Sequence, residues 1–490
     1  MSEPRELARR IVIAGDGPLG VLAAIALKQA LPSTDVLVLA IPPDPGAFAE
    51  RIGTALPFAN RLHDRLGIAE EDLVREAGAS HRLIVRYLGG GGPEHSGAAG
   101  YGAALDPAMT TAFAKEWGGG PRNAGTAAPP GSLGEVLAAA GRFAPPSGEA
   151  DHPLAELDYA LRWNVAGYRD LLVATAQRLG VRHLKAAVRG LKPDQSGGIA
   201  ALAVEGAEEI AADLFVDCSG PRALLLSLLG EARQIDWQDV LPVLRIAFAA
   251  PAEPMVTLED RATLTPLGWR WELAGRDGRQ ALLGLCDEAD ADLVARHLRA
   301  APAEVVSYLP GRAAAPWLGN VIALGDAAVR LEPLGGIAQD LAQRQLALLL
   351  ELLPGRTIDP KERAEYNRRV SLMADRAADW LAAHYAAPAA ATLFPGLSRS
   401  AELERALDQF SRRGRTPFVE EAPMLVQEWG ALLRALGLPA GEGALAAAES
   451  GSSENAARSL AVRAEAALRR SPPYADWLGR VLGIAPSRYG

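Results

Sequence analysis

Cysteine is nearly absent. Only Cys218 and Cys286 occur in 490 residues, which excludes a disulfide framework and a thiolate metal site. The seven histidines show no metal-ligand spacing. There is no long run of lysine or arginine, and the net charge is −9, so nucleic acid is not an expected partner. No apolar run is long enough for a membrane span; the stretch near 346–353 reads as a buried helix. The opening M-S-E-P-R-E-L-A-R-R lacks the apolar core of a signal peptide, and a cytoplasmic location is expected. No internal repeat is visible. What remains, 49% hydrophobic and 22% charged, is the composition of a soluble globular protein of about two or three domains.

The most informative stretch that is present lies at residues 11–20, I-V-I-A-G-D-G-P-L-G. A β-branched run enters a loop carrying Gly15, Gly17, Pro18, Leu19 and Gly20, and a helix of small and apolar residues follows. Gly15 permits the tight turn, Gly17 lets the backbone approach a pyrophosphate, and Gly20 lets the helix pack on the strand. The free N–H groups at the helix start favour phosphate. A second strand at 35–39 closes a βαβ unit, the context a dinucleotide fingerprint needs. Where an acid should meet the ribose, the chain has Ala40, with Asp44 beyond Pro42 and Pro43; weaker adenosine binding is expected.

Farther on, residues 82–87 read as a strand, and 88–150 form a Gly-, Pro- and Ala-rich excursion of the kind that builds lids or binding loops. A strand running into Asp217-Cys218-Ser219-Gly220 returns to the nucleotide sheet, and so does 320–328. Between them, 240–310 reads as an antiparallel sheet. The expected fold is α/β. A Rossmann-like FAD-binding domain, discontinuous over 1–235 and 315–355, carries an inserted substrate-side sheet (236–314) and a helical C-terminal region (356–490). No second glycine fingerprint for a nicotinamide is present.

Several segments, in order, resemble the flavin-dependent tryptophan halogenases within the FAD monooxygenase superfamily. They are G-D-G-P-L-G (15–20), D-L-F-V-D-C-S-G-P-R (213–222), G-W-R-W-E-L (268–273), G-N-V-I-A-L-G-D (319–326), E-P-L (332–334) and W-L-A-A-H-Y (380–385). The resemblance implies FAD, with reduced flavin supplied by a separate NAD(P)H flavin reductase. It implies flavin contacts from Gly53 and Ala55, from Gly220, and from Gly325, Asp326, Pro333, Gly335, Gly336 and Ile337. Asp326 reads either as the partner of the flavin ribityl chain or as a helix N-cap. Trp269 and Trp271 share a strand face; they read as a screen between flavin and substrate, or as core.

The same resemblance exposes departures. Arg82 stands where the family has its catalytic lysine, and an arginine can act only as a fixed cation. The family's E-P-L-E-S-T becomes Glu332-Pro333-Leu334-Gly335-Gly336-Ile337, so its functional glutamate falls on Gly335. Glu332 is then a candidate proton-transfer group, and His81 a candidate base or a structural residue. His384 and Tyr385 read as packing residues, Trp163 and Tyr168 either as core or as facing the flavin or substrate, and Cys218 as a buried filler.

The expectation is an FAD-dependent enzyme that oxygenates an aromatic or indole-like substrate, free or tethered to a carrier or peptide, through a flavin hydroperoxide. The alternatives are a halogenase using FADH2, O2 and halide with Arg82 as cationic guide, and a non-catalytic FAD-binding partner in a biosynthetic complex.

Overall fold

The computed structural model describes residues 6–54, 56–102, 131–149, 151–195, 197–206, 208–230, 233–441 and 450–484. Ala55 and 103–130 of the Gly-rich excursion lie outside the described residues. The chain divides into two units. The first comprises Met1–Gly78, Trp163–Asp239 and Val306–Ala378; the second comprises Ala79–Arg162, Val240–Val305 and Asp379–Gly490.

The first unit is built on β1 (Arg10–Ala14), α1 (Pro18–Ala30) and β2 (Asp35–Leu39). β1 is central. It pairs in parallel with β2 on one side and with Leu214–Asp217 on the other, and Val12 faces both Leu37 and Phe215. Val321–Ala323 and Arg182–Leu184 extend the parallel set outward. Ile11, Val12, Ile13 and Ala14 are all fully buried. A parallel strand covered by helices on both faces needs such a run rather than alternation. α1 is buried from Pro18 through Leu27, which its small and aliphatic residues permit. The strand order reverses at β1, and ligands of doubly wound sheets gather at the carboxyl ends of strands at such a point.

The D-C-S-G signature has a local physical cause. Asp217 is fully buried at the end of its strand and satisfies the turn that follows. Its Oδ2 accepts from the amides of Leu225 (2.7 Å) and Leu226 (3.0 Å). Its Oδ1 accepts from the Ser219 amide (3.1 Å) and hydroxyl (2.6 Å). Gly220, at φ 83°, turns the chain where a side chain would press on Ala47 and Asp44.

The second unit carries a seven-stranded sheet in the order Pro302–Ser307, Arg245–Ala249, Gln280–Leu285, Gly268–Leu273, Glu259–Thr265, Ile84–Leu88, Ser96–Gly100. Within 240–310, Arg245–Ala249, Gln280–Leu285, Gly268–Leu273 and Glu259–Thr265 pair antiparallel, as expected. The sheet is then extended by Glu259–Thr265 running parallel to Ile84–Leu88. Residues 79–162 also belong to this unit rather than to the nucleotide-binding block, since two of its strands come from them. Residues 306–314 and 356–378 fall instead in the first unit. The 82–87 strand breaks at Leu83, whose amide donates to the Leu258 carbonyl. Arg82 ends a separate short strand paired with Ala160–Arg162. From Pro360 on, the described elements are all helices. Among the described residues no helix is long and apolar enough to cross a membrane.

Candidate active site

The glycine loop of the first unit holds the sequence-predicted residues together. A Cβ on Gly15 would lie 2.3 Å from the Cys218 carbonyl oxygen, and one on Gly20 would lie 2.2 Å from the Gly15 carbonyl oxygen. Both glycines are therefore demanded by close backbone packing. Cys218 is buried, as a filler should be, and burial raises its thiol pKa. Asp16 is clamped from the side: Arg169 donates through Nε to the Asp16 carbonyl (2.6 Å) and through its terminal nitrogen to the carboxylate. Nothing in the spacing of Asp16 and Arg169 announces this clamp.

At the start of α1 the capping residue Gly17 contributes no side-chain bond. Glu50, on α2 (Phe48–Arg51), fills that place. Its Oε1 accepts from the Leu19 amide at 2.9 Å, and the Gly20 amide also bonds the carboxylate. Sequence reasoning missed Glu50, which has no motif around it. Desolvation pushes its carboxyl up to about 7; the two amides pull the other way, and the Asp16 charge adds to the rise.

Asp326 lies beside it. Its Oδ2 accepts from the Ala49 amide at 2.8 Å, so it caps α2 across the fold rather than the helix that follows it in sequence. Its Oδ1 is buried with no hydrogen-bond partner. Desolvation pushes its carboxyl up to about 8, the Ala49 amide opposes the rise, and the Glu50 charge adds to it. A buried oxygen with an unused lone pair is what a ribityl hydroxyl would satisfy. The residues therefore fit FAD at that end.

These two carboxyls set a pH dependence. A carboxyl whose folded pKa is raised contributes stability below its unfolded pKa, and that contribution is lost as pH rises through the folded value. For Glu50 the window runs from about 4.5 to about 7. The apoprotein is expected to lose on the order of 2 kcal/mol across it, read from urea midpoints at pH 5 and pH 8. Glu50→Gln should remove its share of the slope and leave the share that Asp326 carries, and an unchanged slope would reject the assignment.

The remaining flavin-side candidates line the approach to the helix Ile337–Glu351. Gly325 (φ 60°), Gly335 (φ 68°) and Gly336 (φ 79°) are all left-handed, and Gly325 donates to Gln345 at 2.8 Å. Any residue other than glycine at 335 would meet backbone strain here. Pro333 and Ile337 bracket the turn, and Glu332 is 2% exposed. Gly53 is pinned by Trp163: a Cβ there would lie 2.1 Å from the Trp163 carbonyl. Trp163, Tyr168 and His63 form one buried ring cluster. Desolvation pushes His63 down to about 4, keeping it neutral. Ala40 donates its amide to the Leu184 carbonyl and offers no carboxylate. Asp44 accepts from Gly46 and pairs with Arg222 at 3.1 Å.

In the second unit Arg82 is 1% exposed and bound to Asp260. Its guanidinium carbon lies 5.6 Å from the centre of the Tyr101 ring. Desolvation opposes its charge, but Asp260 and the nearby tyrosines outweigh it and raise the pKa. Arg82 is thus a held cation. Its neighbour His81 is fully buried among Phe143, Tyr159, Tyr474 and Trp477, with Nδ1 3.0 Å from the Tyr474 hydroxyl. These surroundings support the structural reading of His81. Trp269 and Trp271 are 1% and 0% exposed. Gly268 before them has φ 147°, and a Cβ there would lie 2.3 Å from the Gly284 carbonyl. Trp269 meets Tyr87 and His384 edge-on. His384, pushed by desolvation to about 4, packs as expected, and so does Tyr385 against Phe394.

The family model described as tryptophan halogenase matches residues 10–449. Tryptophan 7-halogenase RebH of Lentzea aerocolonigenes is 26% identical over 418 residues, 77% of this chain and 76% of that protein. Tryptophan 7-halogenase KtzQ of Kutzneria sp. (strain 744) is 28% identical over the same shares. In fold, the chain is similar to BrvH, a flavin-dependent halogenase from Brevundimonas sp. BAL3. The TM-score is 0.84 at 22% identity, covering 97% of this chain and 99% of that one. The family model, spanning residues of both units, leaves one conclusion: the chain belongs to the tryptophan halogenase family and is an FAD-dependent, halogenase-like oxidoreductase.

Proposed function

We propose that the protein halogenates a small aromatic molecule of the tryptophan or indole type, using FADH2 delivered by a separate NAD(P)H flavin reductase, O2 and halide. When bound, reduced FAD supplies the two electrons with which O2 oxidises halide to hypohalous acid, releasing water. The observation that carries this reading is the buried Trp269–Trp271 pair on its glycine-anchored strand. The resemblance gives that pair the task of separating flavin from substrate, which a diffusing oxidant tolerates and direct oxygen transfer does not.

In this reading Arg82 forms no covalent adduct with the oxidant. It steers by charge and hydrogen bonding, with Asp260 fixing its direction. Asp326 offers its unpartnered Oδ1 as acceptor for a flavin hydroxyl. Glu332 supplies the one carboxyl of the E-P-L turn.

A specific observation favours a second reading. The lysine position holds an arginine already committed to Asp260, and the glutamate position holds Gly335. That pair of changes supports oxygenation of an aromatic substrate, free or tethered, on a halogenase frame. Incubation with FAD, a flavin reductase, NADH and O2 over a panel of tryptophan, indole and indole peptides distinguishes the two. Mass spectrometry should show the chlorine or bromine isotope pattern only when halide is present. A product heavier by one oxygen and indifferent to halide would replace the first reading with the second. No product from FAD-loaded protein would support a non-catalytic partner role.

A further inference from the structure

The start of α1 is the place where a dinucleotide fold receives phosphate, because the first amides of a helix have no partner within it. Here those amides already have one. Glu50 Oε1 lies 2.9 Å from the Leu19 amide, and Gly20 bonds the same carboxylate. A Cβ placed on Gly17 would lie 2.2 Å from Oε1 and 2.7 Å from Oε2. The carboxylate thus sits in the very space that the missing Gly17 side chain leaves open for a pyrophosphate. Two anions cannot share it.

We propose that Glu50 is an internal stand-in for the FAD pyrophosphate: its carboxylate closes the dinucleotide site, and FAD enters only as Glu50 leaves the amides of Leu19 and Gly20. The inference rests on FAD as the cofactor and adds a residue that sets how tightly it is held.

The segment that carries Glu50 is short and bounded by fixed points. α2 is four residues long. It follows Pro42, Pro43 and Pro45 and is followed by Gly53, pinned against the Trp163 carbonyl. Its amide at Ala49 rests on Asp326, the residue fitted to the ribityl chain. Withdrawal of Glu50 and engagement of Asp326 by cofactor therefore act on the same four residues. The groups facing the Glu50 carboxylate are Asp16, held by Arg169, Asp326 on the turn after Val321–Ala323, and the Cys218 thiol. All three are acids, so ionised Glu50 finds its compensation mainly in the α1 amides. A protonated Glu50 grips them less, and FAD should bind more tightly as pH falls through about 7. A cofactor site with its own competitor suits a flavin that arrives reduced and departs oxidised in each cycle.

The test is FAD titration of the full-length apoprotein, followed by tryptophan fluorescence at pH 6 and pH 8.5. Wild type, Glu50→Ala and Glu50→Gln are compared, with thermal unfolding confirming that each is folded. Glu50→Ala should lower the FAD Kd at pH 8.5 by about 10- to 100-fold, the net weight of two ordinary hydrogen bonds. Glu50→Gln should fall between the two and lose the pH dependence shown by wild type. An unchanged or raised Kd in folded Glu50→Ala overturns the stand-in role while leaving FAD as the cofactor. If neither wild type nor either variant binds FAD, the cofactor reading fails and the proposal with it.

Discussion

Asp260→Ala is expected to destabilise the second unit by about 3–5 kcal/mol, because it strands the Arg82 guanidinium in a site 1% exposed without its counter-charge. Arg82 cannot escape by losing its proton, as a buried lysine would. The neighbouring Arg162, whose positive charge Asp260 also feels, deepens the deficit. Arg82→Met combined with Asp260→Leu removes both charges and should recover most of the loss, since the desolvation cost disappears with the attraction. Urea unfolding of the two single variants and the double variant measures this directly. A single-variant cost below about 1 kcal/mol, or a double variant as weak as the singles, would show that the pair is not the anchor described.

The second large effect is Asp217→Ala in the first unit. The carboxylate satisfies the amides of Ser219, Leu225 and Leu226 and the Ser219 hydroxyl, and the position is fully buried. The expected cost is about 3–5 kcal/mol. FAD affinity should fall as well, because the turn carries Gly220. Asp217→Asn keeps one acceptor oxygen and should lose roughly half as much. Equal losses in the two variants would mean that size rather than hydrogen bonding holds the turn.

The glycine loop and the D-C-S-G turn were legible in the sequence because their constraints are local. Gly20 answers to the Gly15 carbonyl five residues away, and a strand–turn–helix context suffices to read the loop, although the backbone that Gly15 meets is Cys218 and the side chains that Gly220 meets are Ala47 and Asp44. The family resemblance added Asp326 and the tryptophan strand. What stayed hidden depends on distant pairing. Glu50 meets Leu19 across 31 residues, Asp260 meets Arg82 across 178, and Arg169 meets Asp16 across 153. No spacing rule reports such encounters. The division of the chain was hidden for the same reason: Ile84–Leu88 reads as a strand, but nothing in it says that its neighbour is Glu259–Thr265. His81 looked chemical by type and by its place beside Arg82, and only the rings around it reveal a core residue.

The held arginine also constrains the routes by which this chain could change. A lysine introduced at 82 by one substitution would find Asp260 already in place and would be drawn into the same ion pair, its amine neither neutral nor free. Replacing Asp260 first would leave a naked buried cation. The arginine and the aspartate therefore act as one unit, and a free amine at position 82 requires both residues to change together.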